Sequence, residues 1–559
     1  MRSPIRKTKL IALAIFSMLL TSNILLAQVT RKVSGKVTSA SGEPLAGVSL
    51  KEKNGSSGTL STGDGSYDIN VASENAVLVV SYLGFLTKEV EVGSQTLLNI
   101  VLEENTQSLQ EVIVVGYGTQ KKVNLTGAVG SIKGEKLIER PAPNSSNLLQ
   151  GRITGLQVTQ PSGEPGRDNP NILIRGRSTF GDGTGPLILI DGVVGSLNNL
   201  SPNDIENISV LKDAASAAIY GSRSANGVIL VTTKKGTKGK TVVNYSSNFA
   251  RHVATSLPDL ITNSADYMEM YNKAAERSGV AFRYPATEIE KYRNSTDRVQ
   301  YPNFDNIDYY INPATVSNHN VSLSGGGEKN TFNISLNYLD QNAIYKGYNF
   351  KRYNGLLNYS NDISKKIKVG TSINLTYKDR KEPPFTGENM TLAVYAAGPL
   401  YGPFLPDGSG RVVSRAYQQE GRNRNPQEYY AMGNQRTKEY NLNAQAYVDV
   451  NLFKGFTWSS KVAVNYVDEY YKMHQKNYDA YLFHKDPAAS DYTIATFGPD
   501  ILGVTDQYSK SINPTFYSTF TYDAEIAPDH NLKLLAGYEQ LSYKFQGLRG
   551  RRTSTLSPI

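Results

Sequence analysis

Residues 331–338 read TFNISLNY. Phe332, Ile334, Leu336 and Tyr338 point one way along an extended chain and Asn333, Ser335 and Asn337 the other, because successive side chains of a strand alternate between its faces. The pattern recurs down the second half of the chain. In VGTSINLTY (369–377), Val369, Thr371, Ile373, Leu375 and Tyr377 oppose Gly370, Ser372, Asn374 and Thr376. NLNAQAYVDVNL (441–452) sets Leu442, Ala444, Ala446, Val448, Val450 and Leu452 against Asn443, Gln445, Tyr447, Asp449 and Asn451. Trp458, Ser460, Val462, Val464 and Tyr466 continue it, and 514–526 and 530–545 are further candidates. One face is apolar and ends in tyrosine; the other is Asn, Ser, Thr, Gln and Gly. A soluble sandwich usually carries Lys and Glu on its polar face. The uncharged face fits a transmembrane antiparallel β-barrel better, apolar side to lipid and polar side to a wet or plugged lumen, closed so that no strand edge is left in hydrocarbon. The stretches 253–316, 380–436 and 467–513 read as long irregular loops, extracellular in a barrel, the first with a helix over Ser264–Arg277.

The rest of the composition agrees with a mainly β chain. At 39% hydrophobic and a mean hydropathy of −0.38, the 559 residues exclude a bundle of membrane helices. Aromatics are 36 Tyr, 17 Phe and 1 Trp, and tyrosine suits a membrane–water boundary. The net charge of +9 is spread along the chain and reads as solubility; no motif points to nucleic acid. With 0 Cys there are no disulfides, zinc–thiolate sites or cysteine nucleophiles, and 5 His leave little for a metal or triad site. No cofactor or metal is expected.

The N-terminus reads as a signal peptide, residues 1–27. Arg2, Arg6, Lys7 and Lys9 precede the apolar run Leu10–Leu20, and cleavage is expected after Ala27. Thr21, Ser22 and Asn23 stop that run well short of the ~20 residues of a membrane span. Residues 29–103 read as an all-β sandwich of about seven strands, with candidates Lys32–Val37, Val48–Lys51, Tyr67–Val71, Val77–Tyr82 and Thr87–Val92. TGDGSY (62–67) is a turn signal, and GDGSYDI (63–69) has too few carboxylates at ligand spacing for a calcium loop and reads as a Gly-rich turn. Residues 104–122 are a polar linker ending in QEVIVVGYGTQKK (110–122), a β-branched strand with no evident hairpin partner. Residues 123–236 read as a mixed α/β unit, with a helix start at Ser201-Pro202 before NDIENI, a helix capped by Asp213 and ended by Gly221, and buried strands in PLILIDG (186–192) and GVILVTTK (227–234). Residues 237–559 carry about nine strands. A barrel wide enough to enclose the α/β unit needs about 22, so a truncated barrel is expected.

This order of parts, with its long motifs, resembles the SusC/RagA-type TonB-linked outer-membrane transporters of Bacteroidota. EVIVVGYGTQKKVNLTGAVGSI (111–132) resembles the TonB-box region and the start of the plug. LLQGRITGLQV (148–158), ILIRGRSTFGDGTGPLILIDGV (172–193) and NDIENISVLKDAASAAIYGSRSANGVILVTTKKG (203–236) resemble the plug domain, and YPNFDNIDYYINP (301–313) a segment after the first barrel strand. The first domain resembles the carboxypeptidase-regulatory-like domain that often precedes such plugs. Ser224 stands where the family commonly has Gly.

The resemblance implies an outer-membrane barrel in contact with lipid, its lumen filled by the plug, with the plug and first domain facing the periplasm. It implies active import of an oligosaccharide or oligopeptide, driven by TonB with ExbB/ExbD, under a SusD-like surface lipoprotein. The partner-binding box falls on Glu111, Val112, Ile113, Val114, Val115, Gly116 and Tyr117, a strand suited to pairing in trans with a partner's sheet edge. Arg175, Arg177 and Arg223 are expected to form ion pairs between plug and barrel wall and, with Asp191, to have structural or gating roles. A binding or signalling receptor of siderophore type is the alternative. An exported enzyme fits less well, because Asp191, Glu206 and Asp213 sit at turns and caps.

Overall fold

The computed structural model describes residues 31–103 apart from 54, 56, 83 and 84; 112–115; 118–121; and 128–553 apart from 141, 178–182, 416–424, 485–489, 498–501, 528 and 529. The signal-peptide reading lies outside the described residues. Two units are described, divided near residues 112–124.

The first unit is built from β1 (Arg31–Ser39), β2 (Ser49–Glu52), β3 (Gly58–Leu60), β4 (Ser66–Val71), β5 (Val77–Ser81), β6 (Lys88–Glu91) and β7 (Ile100–Leu102). They form two sheets, β4-β1-β7 and β3-β2-β5-β6. Alternate residues turn inward, and Val33, Val37, Leu50, Ile69, Leu78, Val80 and Ile100 share one core. In the TGDGSY turn, Asp64 accepts hydrogen bonds from the hydroxyls of Thr62 and Ser66, both at 2.7 Å.

The linker strand is not an orphan. β8 (Val112–Val115) pairs with β9 (Gly118–Lys121) in a two-stranded sheet, which corrects the reading of a strand without a hairpin partner. Two residues separate the strands and the first is Gly116, a spacing that favours tight hairpins. Glu111, Gly116 and Tyr117 lie outside the described residues.

In the second unit, β10 (Val129–Lys133), β11 (Leu156–Thr159), β12 (Asn171–Ile174), β13 (Leu187–Ile190), β14 (Val193–Val194), β15 (Ile205–Leu211) and β16 (Val228–Thr233) form the α/β plug. The main sheet runs β10-β15-β16-β13-β14, with β13 and β16 parallel, and β11-β12 stand apart. The helix expected after Ser201-Pro202 is only a 3₁₀ turn, Pro202–Asp204, with Ser201 accepting from the Asn203 amide. Ile205, Ile208, Val210 and Leu211 then bury themselves as a central strand, so tertiary burial overrides the cap. Asp213 does cap a helix: it accepts from the Ser216 amide at 2.8 Å ahead of Ala214–Ala217.

The remaining chain is dominated by one antiparallel sheet. Its strands are β17 (Gly239–His252), β18 (Ala314–Gly326), β19 (Asn330–Asn342), β20 (Asn349–Asp362), β21 (Ile367–Glu382), then, past β22 (Val412–Arg415), β23 (Gly433–Phe453) and β24 (Phe456–Gln475). Past β25 (Asp479–Leu482) and β26 (Ile494–Phe497) come β27 (Gly503–Ala527), β28 (His530–Leu541) and β29 (Lys544–Arg552). The order is β17-β18-β19-β20-β21-β23-β24-β27-β28, with β29 also on β27. β28 and β29 pair with successive stretches of that edge, so they form one strand interrupted at 542–543, and the sheet is nine strands across. The alternation divides the faces as expected: Asn333, Ser335 and Asn337 are buried, whereas Leu336 is 62% and Leu375 53% exposed. Strands reach 20 residues in β24 and 25 in β27, longer than the alternating windows, because both faces are polar near the long connections.

Those connections are more ordered than the sequence suggests. The helix Ser264–Arg277 forms where expected, its N-terminus capped by Asn263. Met268, Tyr284, Tyr292, Leu400, Tyr401 and Phe483, from all three long connections, share a core. β22, β25 and β26 join there in a small sheet.

Candidate functional site

The contact between the plug and the polar face of the wall is built from amides and buried charges. Lys234, just past β16, offers its carbonyl to the side-chain amides of Asn333 at 3.1 Å and Asn358 at 2.7 Å. Asn199 offers its carbonyl to Asn354 and to the Thr376 hydroxyl, both at 2.8 Å. The face whose lack of charge set it apart in the sequence is thus a row of donors for the plug's backbone carbonyls, which would otherwise be buried unsatisfied.

Arg352 on β20 is a charged member of that face. It is 3% exposed and donates to the carbonyls of Pro143 at 3.1 Å and Asn198 at 3.3 Å. The plug carboxylates Asp168 and Asp204 lie in its field. Burial pushes the Asp204 carboxyl up to about 6, with a Ser335 hydrogen bond and the charges of Lys234 and Arg352 acting against it.

A second charged cluster forms on the loop 161–170. Arg167 bridges Glu164 at 3.1 Å and Glu382 on β21 at 2.8 Å, and Arg380 also bonds Glu382 at 3.1 Å. The other oxygen of Glu164 accepts from the Gly387 amide at 2.8 Å, at the start of the helix Gly387–Ala396. Burial, then a hydrogen bond shared with Glu382, raises the Glu164 carboxyl to about 7. Between the two clusters is a gap of about 210 Å³, lined by Asp168, Arg352, Lys378, Arg380, Glu439 and Glu469. It is polar and large enough for several waters at about 30 Å³ each.

Each residue singled out from sequence has a definite place, where described. Arg223 pairs with Glu539 on β28 at 2.6 Å, a plug-to-wall ion pair. Among the described residues Arg175 forms no ion pair with the wall: it is exposed at φ 58, its amide bonds the Gly155 carbonyl, and its charge acts on Asp213 within the plug. The motif IRGR turns there, with Gly176 at φ 89 beside it. Arg177 is exposed beside the undescribed residues 178–182. Asp191 sits at φ 48 and holds β16 by accepting from the Thr233 amide at 3.0 Å and hydroxyl at 2.6 Å. Its own carbonyl accepts from Lys461 of β24 at 2.7 Å. Val112, Ile113, Val114 and Val115 are the four residues of β8.

The sequence reading missed Glu164, Arg167, Arg352 and Glu382. SGEPGRDNP (162–170) carries an acid and a base in a Gly/Pro-punctuated loop, but their partner lies 215 residues away, and nothing local marks it.

Comparison with known proteins gives this assembly its place. Residues 33–114 match the CarboxypepD_reg-like domain and residues 121–228 the TonB-dependent Receptor Plug Domain. TonB-dependent receptor P39 of Formosa agariphila is 33% identical over 471 residues, covering 84% of this chain and 43% of that protein. SusC of Bacteroides thetaiotaomicron is 33% identical over 361 residues, 63% of this chain and 34% of that one. The RagAB peptide importer in its open-open state shares the fold at a TM-score of 0.65 and 23% identity, over 80% of this chain and 50% of that chain. This chain therefore spans less than half the length of these curated relatives. The chain thus carries a TonB-dependent receptor plug domain behind a CarboxypepD_reg-like domain, and over most of its length it is similar to SusC/RagA-type TonB-dependent receptors.

Proposed function

We propose that the protein imports a nutrient across the outer membrane, with energy supplied through TonB and ExbB/ExbD. The observation that carries this reading is the nature of the plug's seat. Hydrogen bonds to backbone carbonyls and a few charge pairs hold it, around a polar gap, rather than a continuous apolar core. Water can replace such contacts one by one, so a plug held this way can be moved by a pull.

The pull acts at Glu111–Tyr117. β8 is held in a two-stranded sheet, and an isolated hairpin is marginal in water. Exchange of β9 for the edge of a partner sheet conserves main-chain hydrogen bonds, so the cis pairing stores the box without locking it. In this reading the short turns, plug and first domain face the periplasm and the long connections face outward, with a cleaved signal peptide at residues 1–27. The cargo is an oligosaccharide or an oligopeptide, captured under a SusD-like lipoprotein. SusC and the RagAB peptide importer are similar proteins that support this class of partner and cargo. Arg223 and Asp191 act as plug fasteners that release in transport.

Deleting Glu111–Gly116 in the full-length protein tests the reading. Uptake is expected to stop while the protein still reaches the outer membrane. Uptake at the wild-type rate would overturn TonB coupling.

A further inference from the structure

A row of rings crosses the apolar face of the wall at one level. Tyr245, His319, Tyr338, Tyr353, Tyr377 and Tyr440 follow one another on β17 to β21 and β23, neighbouring centroids 4.7–6.4 Å apart. On a membrane barrel such a girdle marks where hydrocarbon gives way to headgroups.

Beyond it, toward the long connections, the same outward face turns cationic. Two residues past Tyr377 and Tyr440, Asp379 stands opposite Lys438. Two further on, Lys381 stands opposite Arg436, and Arg436 opposite Lys472. Three cations thus lie in register on adjacent strands, where like charges directly opposite one another destabilise a sheet. Asp379 engages Arg436 through two bonds, of 2.7 and 2.6 Å. Asp506 stands opposite Lys472 and takes the Tyr470 hydroxyl. The neighbouring Lys351 is matched by Asp340 at 3.4 Å. Lys381, Arg436, Lys438 and Lys472 against Asp379 and Asp506 leave two positive charges in excess on a face that otherwise meets lipid. At ~3.3 Å per residue and the usual strand tilt, the row lies roughly 5–10 Å past the rings, at headgroup depth.

We propose that Lys381, Lys438 and Lys472, arranged around the Asp379-held Arg436, bind the phosphate groups of an anionic lipid in the leaflet on the long-connection side. The bound phosphate relieves the repulsion along the row, and the acyl chains lie on the apolar face below the tyrosines. The site rests on the membrane-barrel reading of the wall and is independent of cargo and of TonB.

The test uses the full-length protein purified from membranes in mild detergent, with the phosphorus-containing lipid retained per protein read by native mass spectrometry. Wild type is expected to retain lipid. K381Q/K438Q/K472Q is expected to bind it on the order of 100-fold more weakly, about fivefold per cation. K381R/K438R/K472R is expected to retain it, and millimolar inorganic phosphate to leave it in place. Equal retention by the glutamine variant, loss in the arginine variant, or displacement by inorganic phosphate would each overturn the proposal, the last by showing a site for the free ion.

Discussion

Replacing Arg352 with methionine tests what seats the plug. The side chain is 3% exposed, and its removal takes away the bonds to the Pro143 and Asn198 carbonyls and one to Asn354 at 3.0 Å. It also removes the cation facing the buried Asp168 and Asp204. Methionine keeps most of the volume, so the loss is electrostatic. Removing one partner of a buried charge pair costs about 3–5 kcal/mol, chiefly because the other charge is left without compensation. The cost should depend on pH. The Asp204 carboxyl sits at about 6 in the folded protein, above its ordinary 3.8. A raised value means that its stabilising contribution is present below the ordinary value and lost as pH rises through about 6. At pH 7.5 the variant therefore buries carboxylates that have lost the Arg352 charge, and at pH 5 Asp204 takes up a proton instead. Hydrogen exchange of the β15 and β16 amides in the full-length protein measures plug opening. R352M should exchange roughly a hundredfold to several thousandfold faster than wild type at pH 7.5, with the gap narrowing toward pH 5. Wild-type exchange at pH 7.5, or a gap that widens on acidification, would refute the argument.

Other substitutions probe the remaining contacts. Glu164→Gln fixes the neutral form of a carboxyl raised to about 7 from 4.5, whose contribution is present below 4.5 and lost as pH rises through about 7. Protection of the Gly387–Ala396 amides should thus fall between pH 5.5 and 8 in wild type and stay level in the variant; the same fall in both would count against the Glu164 contact. Asn358→Leu leaves the Lys234 carbonyl and Thr233 hydroxyl short of a donor, and should cost the plug about 1–3 kcal/mol by the same exchange measurement. Leu336→Arg, at a site 62% exposed on the apolar face, should cost about 2–4 kcal/mol in urea unfolding from lipid vesicles. An unchanged midpoint there would mean that this face does not meet hydrocarbon.

How much could be read in advance depended on the range of the signal. The alternation of Phe332 to Tyr338 is a property of a single strand, and it located the sheet, its two faces and the strand count. The cap at Asp213 and the helix Ser264–Arg277 are also local, and both form as their sequences indicate. The Ser201-Pro202 cap misled because Ile205, Ile208, Val210 and Leu211 gain more by burial between β10 and β16 than by continuing a helix. The same limit applies to IRGR and VIVV: the arginine that meets the wall and the strand that meets VIVV depend on where turns aim the chain.

The sequence by itself therefore determined the class of the protein: an all-β domain, a β-branched box, an α/β plug and an amphipathic wall, each encoded in periodicities of a few residues. Only the tertiary structure decided what joins them. Lys234 meets Asn333 and Asn358 across roughly a hundred residues and more, Arg167 meets Glu382 across 215, and Arg223 meets Glu539 across 316. Such pairs leave no local trace, because hydrogen bonds and ion pairs act over a few ångströms in space and are indifferent to distance along the chain.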